Sequence, residues 1–183
     1  MIWARVLPGS TRSALPDIAH SLIRLGVPGW IRYNPTGLLI NGLAAGSGRI
    51  RMNATSTVVV IPCYNEAERI PLFRFRCFLN AHKEYRFLFV DDGSTDNTSS
   101  VLKCLRDDFP DRISIISLSC NCGKAEAVRR GMLRALDSAP SAVAYWDADL
   151  ATPLEEIPRF RNALDQFERV RLVMGCRLRL AGH

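Results

Sequence analysis

The run Thr-Val-Val-Val-Ile-Pro at residues 57–62 decides how the rest of the sequence is interpreted. Consecutive β-branched residues are typical of a strand that is buried on both faces of a parallel sheet. Outward from this run, strand-like and helix-like segments alternate, which predicts an α/β fold with an open, mainly parallel, doubly wound sheet. The predicted strands are 57–62, 85–91, 113–119, 142–149 and 170–177, and the predicted helices are 66–81, 96–107, 124–137 and 153–168. We expect Pro71 to interrupt the first of these helices near its start.

The 183-residue chain has two unlike parts. Residues 1–51 carry six arginines and one aspartate, so they hold +5 of the total net charge of +6, and the remainder is nearly neutral. We expect a poorly ordered basic leader at 1–56, rich in Gly, Pro and Arg, followed by one domain at 57–183. The leader resembles an organelle transit peptide or an arm resting on an anionic membrane surface. We favour a third interpretation, in which translation starts at Met52.

Composition disfavours several classes of protein. The body lacks a stripe of clustered Lys and Arg with aromatic residues, so we expect no nucleic-acid partner. No run of 18 apolar residues is present, so we expect no transmembrane helix and a cytoplasmic protein that is at most peripheral to the membrane. We expect reduced thiols at Cys63, Cys77, Cys104, Cys120, Cys122 and Cys176, because no secretory signal precedes them. Cys120 and Cys122 could form half of a zinc site, but further His or Cys ligands are not suitably placed.

Acidic residues follow the predicted strand 142–149. Asp147 and Asp149 are two residues apart, so on an extended chain both side chains leave the same face. Two carboxylates on one side repel each other unless a cation lies between them, and oxygen ligands suit Mg²⁺ or Mn²⁺. The alternative is that one Asp caps the next helix while the other is solvated.

Polar residues also follow the first three strands, at the sheet edge where doubly wound folds bind ligands. Asp91 or Asp92 could accept hydrogen bonds from a base and a ribose, although Asp-Gly-Ser-Thr-Asp is also ordinary turn chemistry. Gly123 and Lys124 at a helix start could bind a phosphate. They do not form a Walker A loop, because Ala125 stands where Ser or Thr is required. Lys124 could equally be an exposed helix residue.

Four segments carry a family resemblance when they are taken together. They are Val-Ile-Pro-Cys-Tyr-Asn-Glu at 60–66, Val-Asp-Asp-Gly-Ser-Thr-Asp at 90–96, Asn-Cys-Gly-Lys-Ala-Glu-Ala-Val-Arg-Arg-Gly at 121–131 and Tyr-Trp-Asp-Ala-Asp-Leu-Ala-Thr-Pro at 145–153. The chain resembles the family 2 glycosyltransferases with the GT-A fold over about two thirds of its length. The last segment looks most like the dolichyl-phosphate glucose and mannose synthase branch.

The resemblance implies transfer of a hexose, with inversion, from a nucleotide-diphospho-sugar of the UDP-Glc or GDP-Man type to a polyprenyl phosphate at a membrane surface. Asp147 and Asp149 would hold Mg²⁺ or Mn²⁺ on the diphosphate, and Asp149 is the implied catalytic residue. The other implied binding residues are Pro62, Tyr64, Asn65, Glu66, Asp91, Asp92, Gly93, Ser94, Gly123 and Lys124, with Asp147 in both roles.

The sequence departs from the family at its C-terminal end. Relatives continue beyond the position of His183 with the acceptor part, so we expect that part to be missing, and no general base can be assigned. The alternative function is a truncated or split, non-catalytic module that binds a nucleotide sugar. A phosphoacceptor signalling domain is disfavoured, because its acidic pair would follow the first strand whereas Asp91 and Asp92 follow the second.

Overall fold

Six strands form a single sheet in the computed structural model, which describes residues 1–6, 56–167 and 169–175. The spatial order of the strands is β4-β3-β2-β5-β1-β6. Strands β2 to β5 pair in parallel, whereas β1 pairs antiparallel with β5 and β6. The predicted α/β fold with a mainly parallel sheet is confirmed. The strands are β1 Ile2–Arg5, β2 Thr57–Cys63, β3 Tyr85–Asp91, β4 Ile113–Ser117, β5 Ala142–Tyr145 and β6 Leu172–Met174.

Strand β2 lies inside the sheet, as its uninterrupted apolar run predicts, and all of its residues are buried. In the register, Val59 lies opposite Phe87 of β3 and Ala144 of β5. Successive side chains of β2 point to opposite faces. Val59 and Ile61 therefore join the large core cluster, while Val60 meets a helix on the other face.

Four α-helices connect the strands in the described residues. They are α1 Leu72–Ala81, α2 Thr98–Asp108, α3 Lys124–Leu136 and α4 Ile157–Gln166, and a 3₁₀ turn, Leu154–Glu156, precedes α4. Helix α1 starts directly after Pro71, where an interruption was expected, so the part of the predicted helix before this residue is not helical. A proline lacks an N–H group and disfavours helical geometry in the residue before it, so the helix cannot extend back through this position.

The two faces of the sheet are packed differently. On one face, Phe75 of α1 meets Phe87 and Phe89 of β3 edge-on, with ring centroids 5.4 Å apart in both pairs. On the other face, α3 approaches β2 and β3 through Gly131, where an added Cβ would lie only 2.3 Å from a methyl carbon of Val60. The glycine therefore permits a close contact between α3 and the sheet.

Strand β1 was not anticipated from the sequence. The assignment of all residues 1–56 to a loose leader is wrong for 2–5, which pair with β5 and β6. Trp3 is fully buried and stacks on Phe160 with ring centroids 6.2 Å apart. The Val6 amide donates a 2.9 Å hydrogen bond to the Ser141 carbonyl. The other leader residues, 7–55, lie outside the described residues, as does the end of the predicted strand 170–177.

Candidate functional site

A cleft of about 400 Å³ opens where the parallel strands end. Its walls come from the segments that follow β2, β3, β4 and β5, because parallel strands place their carboxyl ends at one edge of a sheet. Eight of the site residues predicted from the sequence line this cleft. Arg69 and Asn121 line it as well, although they were not predicted. The lining residues are Pro62, Cys63, Tyr64, Glu66, Arg69, Asp92, Asn121, Gly123, Lys124, Asp147, Ala148, Asp149 and Ala151.

The loops after β2 and β3 are joined by hydrogen bonds through Asn65. Its amide donates to the Ser94 hydroxyl oxygen at 3.0 Å, and its side-chain oxygen accepts the Thr95 amide at 2.9 Å. Asn65 has a φ of 52°, a left-handed conformation that asparagine tolerates better than most residues. Asn65 and Ser94 do not line the cleft, so their position indicates that they shape the loops.

The two acidic residues at the end of β3 differ in position. Both are buried, but Asp92 lines the cleft and Asp91 does not. Asp91 accepts the Ser94 amide at 3.0 Å, which is the turn chemistry considered as the alternative. Asp92 accepts the Cys122 amide at 2.9 Å on one oxygen and the Gly123 amide at 2.8 Å on the other. Asp92 thus fixes the loop that leads into α3.

Gly93 and Gly123 have backbone roles. Gly93 has a φ of 67°, and a Cβ there would lie 2.4 Å from the carbonyl carbon of Cys120, so only glycine fits against this loop. Gly123 has a φ of 91° and precedes α3. Its amide, expected to face a phosphate, donates to Asp92 and also to the Asn121 side-chain oxygen. The amide is therefore engaged within the protein.

Glu66 brings a buried oxygen to the cleft. Its Oε2 has no hydrogen-bond partner in the described structure, and Nε of Arg69 lies 3.3 Å away without hydrogen-bond geometry. Burial raises the pKa of Glu66, and the charge of Asp149 raises it further, against the opposing effect of Arg69. The Oε2 oxygen therefore has an ion-pair partner but accepts no hydrogen bond. Because an unmade hydrogen bond of a buried acceptor is costly, a ligand N–H or O–H group would be well placed to supply it.

Asp147 and Asp149 lie beyond the strand that was expected to carry them. Strand β5 ends at Tyr145, and the chain then turns, with Leu150 at a φ of 51°. The expectation of an extended chain through both residues is therefore wrong. The indole N–H of buried Trp146 donates to the Thr152 carbonyl at 2.8 Å and so holds the turn against the core. Both carboxylates nevertheless line the same cleft.

Each of these carboxylates contacts a cation of the protein. The Lys124 ammonium lies 2.5 Å from Asp147, and the Arg69 guanidinium lies 3.4 Å from Asp149. Burial lowers the pKa of Lys124, but its hydrogen bond to Asp147 and the nearby negative charges outweigh this effect, so the pKa is raised. Arg69 was missed in the sequence because it follows the Tyr-Asn-Glu motif without belonging to it. Its position three residues after Glu66 could have indicated it, because side chains three residues apart in a helical turn can form an ion pair.

The carboxylate oxygens of Asp147 and Asp149 are of the donor type that Mg²⁺ and Mn²⁺ prefer. Within the described ranges, no group of three or more His, Cys, Asp or Glu residues could enclose a metal. Two carboxylates still fit the way Mg²⁺ is commonly bound, with substrate phosphates and water completing the shell. The donor set therefore fits such an ion, provided that the ion replaces Lys124 at Asp147.

The fold and the cleft define an α/β domain with a charged site at the carboxyl edge of a parallel sheet. Residues 58–179 match the model of glycosyl transferase family 2, and the chain belongs to this family. The expected family is thereby confirmed.

Similar curated proteins are undecaprenyl-phosphate 4-deoxy-4-formamido-L-arabinose transferases. The one from Photorhabdus laumondii is 34% identical over 111 residues, which cover 59% of this chain and 33% of the relative. The one from Proteus mirabilis is 36% identical over 104 residues, which cover 55% and 31%. The chain thus spans about a third of the length of these relatives.

Solved structures give weaker matches. S. aureus TarS 1–349 in complex with UDP-GlcNAc has a TM-score of 0.49 at 20% identity, covering 61% of this chain and 32% of that one. The mannosyltransferase PcManGT from Pyrobaculum calidifontis, in complex with GDP-Man and Mn²⁺, has a TM-score of 0.41 at 21% identity, covering 75% and 37%. In the part of the chain that the structure describes, no helix has the length and apolar character needed to cross a membrane.

Proposed function

We propose that the cleft binds a nucleotide-diphospho-sugar of the UDP-Glc or GDP-Man type, and that the protein transfers its hexose, with inversion, to a polyprenyl phosphate. The observation that carries the proposal is the pairing of Asp147 with Lys124 and of Asp149 with Arg69 in one cleft of a family 2 domain. The curated relatives are named for transfer involving undecaprenyl phosphate. We therefore expect the reaction at a membrane surface, on its cytoplasmic side.

The base and ribose would lie against the segments after β2 and β3. Asp92 lines the cleft, and Glu66 offers a buried oxygen that accepts no hydrogen bond from the protein to a donor group of the ligand. Tyr64 is 43% exposed beside them, so its ring is available to stack on a base. Pro62 also lines the cleft. This assignment favours Asp92 over Asp91 as the nucleotide-binding carboxylate.

The diphosphate would lie between the two cations and the two carboxylates. Lys124 and Arg69 can move from Asp147 and Asp149 to the phosphate oxygens, because both side chains are long and largely exposed. Asp147 and Asp149 would hold Mg²⁺ or Mn²⁺, as the resemblance implies. Such an ion, when bound, neutralises charge on the leaving diphosphate. We assign Asp149 the catalytic role on this basis.

Calorimetric titration of the 183-residue chain tests the proposal. We expect UDP, GDP or one of their sugar conjugates to bind with MnCl₂ present, and Asp149→Asn to weaken this binding at least tenfold. Asp107→Asn is the matched control, because Asp107 is an exposed acid that pairs with Arg106 on α2. Retained metal-dependent affinity in Asp149→Asn, or no binding of any of these ligands to folded protein, would contradict the proposal.

A transfer assay separates the enzyme from the alternative function. Purified chain, the nucleotide sugar that binds, MnCl₂ and polyprenyl phosphate in vesicles should yield a lipid-linked hexose. Binding without such a product would favour a non-catalytic nucleotide-sugar-binding module, which stays the second candidate because the matched region spans only about a third of the curated relatives.

A further inference from the structure

Two exposed thiols flank the residue that the loop between β4 and α3 contributes to the cleft. The Cys120 and Cys122 sulfur atoms lie 3.8 Å apart, and Asn121 between them lines the cleft. Both side chains are exposed and neither is in a disulfide. We propose that Cys120 and Cys122 form an oxidisable dithiol, a modification site at which disulfide formation weakens ligand binding in the cleft.

The geometry is suited to a bond between these two sulfur atoms. A disulfide needs Cα atoms about 4.4–6.8 Å apart, and residues two apart in a chain fall in or near this range because consecutive Cα atoms are about 3.8 Å apart. The sulfur atoms would have to approach to about 2.05 Å. A zinc site is less suited, because structural zinc takes about four protein ligands, and the described residues offer no group of three.

The step balances with a disulfide oxidant such as oxidised glutathione. One thiolate attacks the oxidant and forms a mixed disulfide, which releases one glutathione thiolate. The second thiolate attacks the protein sulfur of that mixed disulfide, which forms the Cys120–Cys122 bond and releases the second glutathione. The protein loses two electrons and two protons, and the oxidant becomes two thiols. The hydrogen bond with Cys120 raises the pKa of the Cys122 thiol, so the reaction should be faster at alkaline pH.

The disulfide would disturb the contacts that hold the loop. The Cys122 amide donates to buried Asp92, and the backbone of Cys120 and Asn121 packs on Gly93 without room for a methyl group. Drawing the two sulfur atoms together moves the backbone between them, so the hydrogen bond to Asp92 weakens. Asn121 and Asp92 both line the cleft, so its shape changes with them. This consequence for the ligand rests on the proposed nucleotide-sugar binding.

Peptide mapping tests the disulfide without reference to any ligand. Trypsin cleavage after Arg112 and Lys124 yields the peptide 113–124, whose only cysteines are Cys120 and Cys122. The full chain is incubated with oxidised glutathione at alkaline pH, and free thiols are then alkylated. We expect this peptide to lose two hydrogens and escape alkylation, whereas the Cys122→Ser variant should carry glutathione or the alkyl group on Cys120. Alkylation at both cysteines, or glutathione on each, in the wild-type peptide would overturn the proposal.

Two further measurements test the coupling to the cleft. Amide hydrogen exchange at residues 122 and 123 should accelerate in the oxidised wild-type chain and not in the equally treated double variant Cys120→Ser, Cys122→Ser. Nucleotide-sugar affinity should fall at least tenfold on oxidation of the wild type and stay unchanged in the double variant Cys120→Ser, Cys122→Ser, which can form neither the disulfide nor a glutathione adduct at this loop. Unchanged exchange or unchanged affinity in the oxidised wild type would refute the coupling. If the reduced chain bound no nucleotide, the result would count against the proposed function alone. Peptide mapping measures the disulfide and amide exchange measures the loop, and neither measurement needs a ligand.

Discussion

Replacing Gly131 by alanine tests how closely α3 packs on the sheet. The added Cβ would lie 2.3 Å from one methyl carbon of Val60 and 2.8 Å from one of Val90, both on fully buried residues. Carbon atoms in contact are normally about 3.5–4.0 Å apart, so α3 must move outward by about 1 Å or more, or Val60 must leave its preferred rotamer. Helix α3 also carries Lys124 into the cleft.

The expected loss of stability follows from two opposing effects. Alanine stabilises a helix by about 1 kcal/mol relative to glycine. Overpacking of a core costs about 1–3 kcal/mol, and an overlap of this size favours the upper end. We therefore expect Gly131→Ala to lower the free energy of unfolding by about 2 kcal/mol. For a urea dependence of about 2 kcal/mol per molar, the midpoint should shift down by about 1 M.

Urea denaturation followed by circular dichroism measures this shift. The double variant Gly131→Ala with Val60→Ala is the control, because the second substitution removes the methyl groups that the new Cβ meets. Its loss of stability should be smaller than the sum of the two single losses, by an amount that a double-mutant cycle isolates. If Gly131→Ala is as stable as the wild type or more stable, or if the two losses simply add, the close contact is refuted.

Three further substitutions test other parts of the structure. Asp92→Asn should destabilise the protein by about 2 kcal/mol in thermal denaturation, because the new amide group can accept only one of the two backbone N–H groups. Glu126, whose pKa is lowered to about 2 chiefly by its hydrogen bond to Arg129, should stabilise the fold above its unfolded pKa of 4.5. The stability gap between wild type and Glu126→Gln should therefore be widest above that pH and close as the pH falls towards 2. Trp3→Ala should lower the free energy of unfolding, measured in urea, by about 3 kcal/mol or more, because it removes a fully buried side chain that stacks on Phe160. An unchanged free energy of unfolding would contradict the placement of residues 2–5 in the sheet.

Much of the fold could be predicted because its patterns are local. The β-branched run before Pro62 and the apolar segment at Tyr85–Asp91 predicted their strands within one residue. The start of α3 at Lys124 was also correct. The interruption expected at Pro71 is the point at which α1 begins, so the predicted start at residue 66 was too early. The predicted end of the fourth strand was wrong, because the chain turns after Tyr145 although apolar residues continue to Trp146.

The candidate site could be predicted in part for the same reason. Motif positions at the strand ends placed Asp92, Lys124, Asp147 and Asp149 at one edge of the sheet, and all four line the cleft. Their individual partners could not be predicted, because each hydrogen bond joins residues of different segments. The functional roles of these residues stay predictions until binding is measured.

By itself, the amino-acid sequence determined the parallel part of the sheet, the helices that connect its strands and the sheet edge that carries the charged groups. These features could be predicted because the hydrophobic periodicity that defines a strand or a helix can be read from a few neighbouring residues. Only the tertiary structure decided that Ile2–Arg5 enters the sheet between two later strands, since its partners lie 137 to 172 residues further along the chain. It also decided that Arg69 reaches Asp149 and that Asp92 holds the loop of Cys122. The residues in these contacts are far apart in the sequence and come close only when the parallel strands pair in the folded sheet.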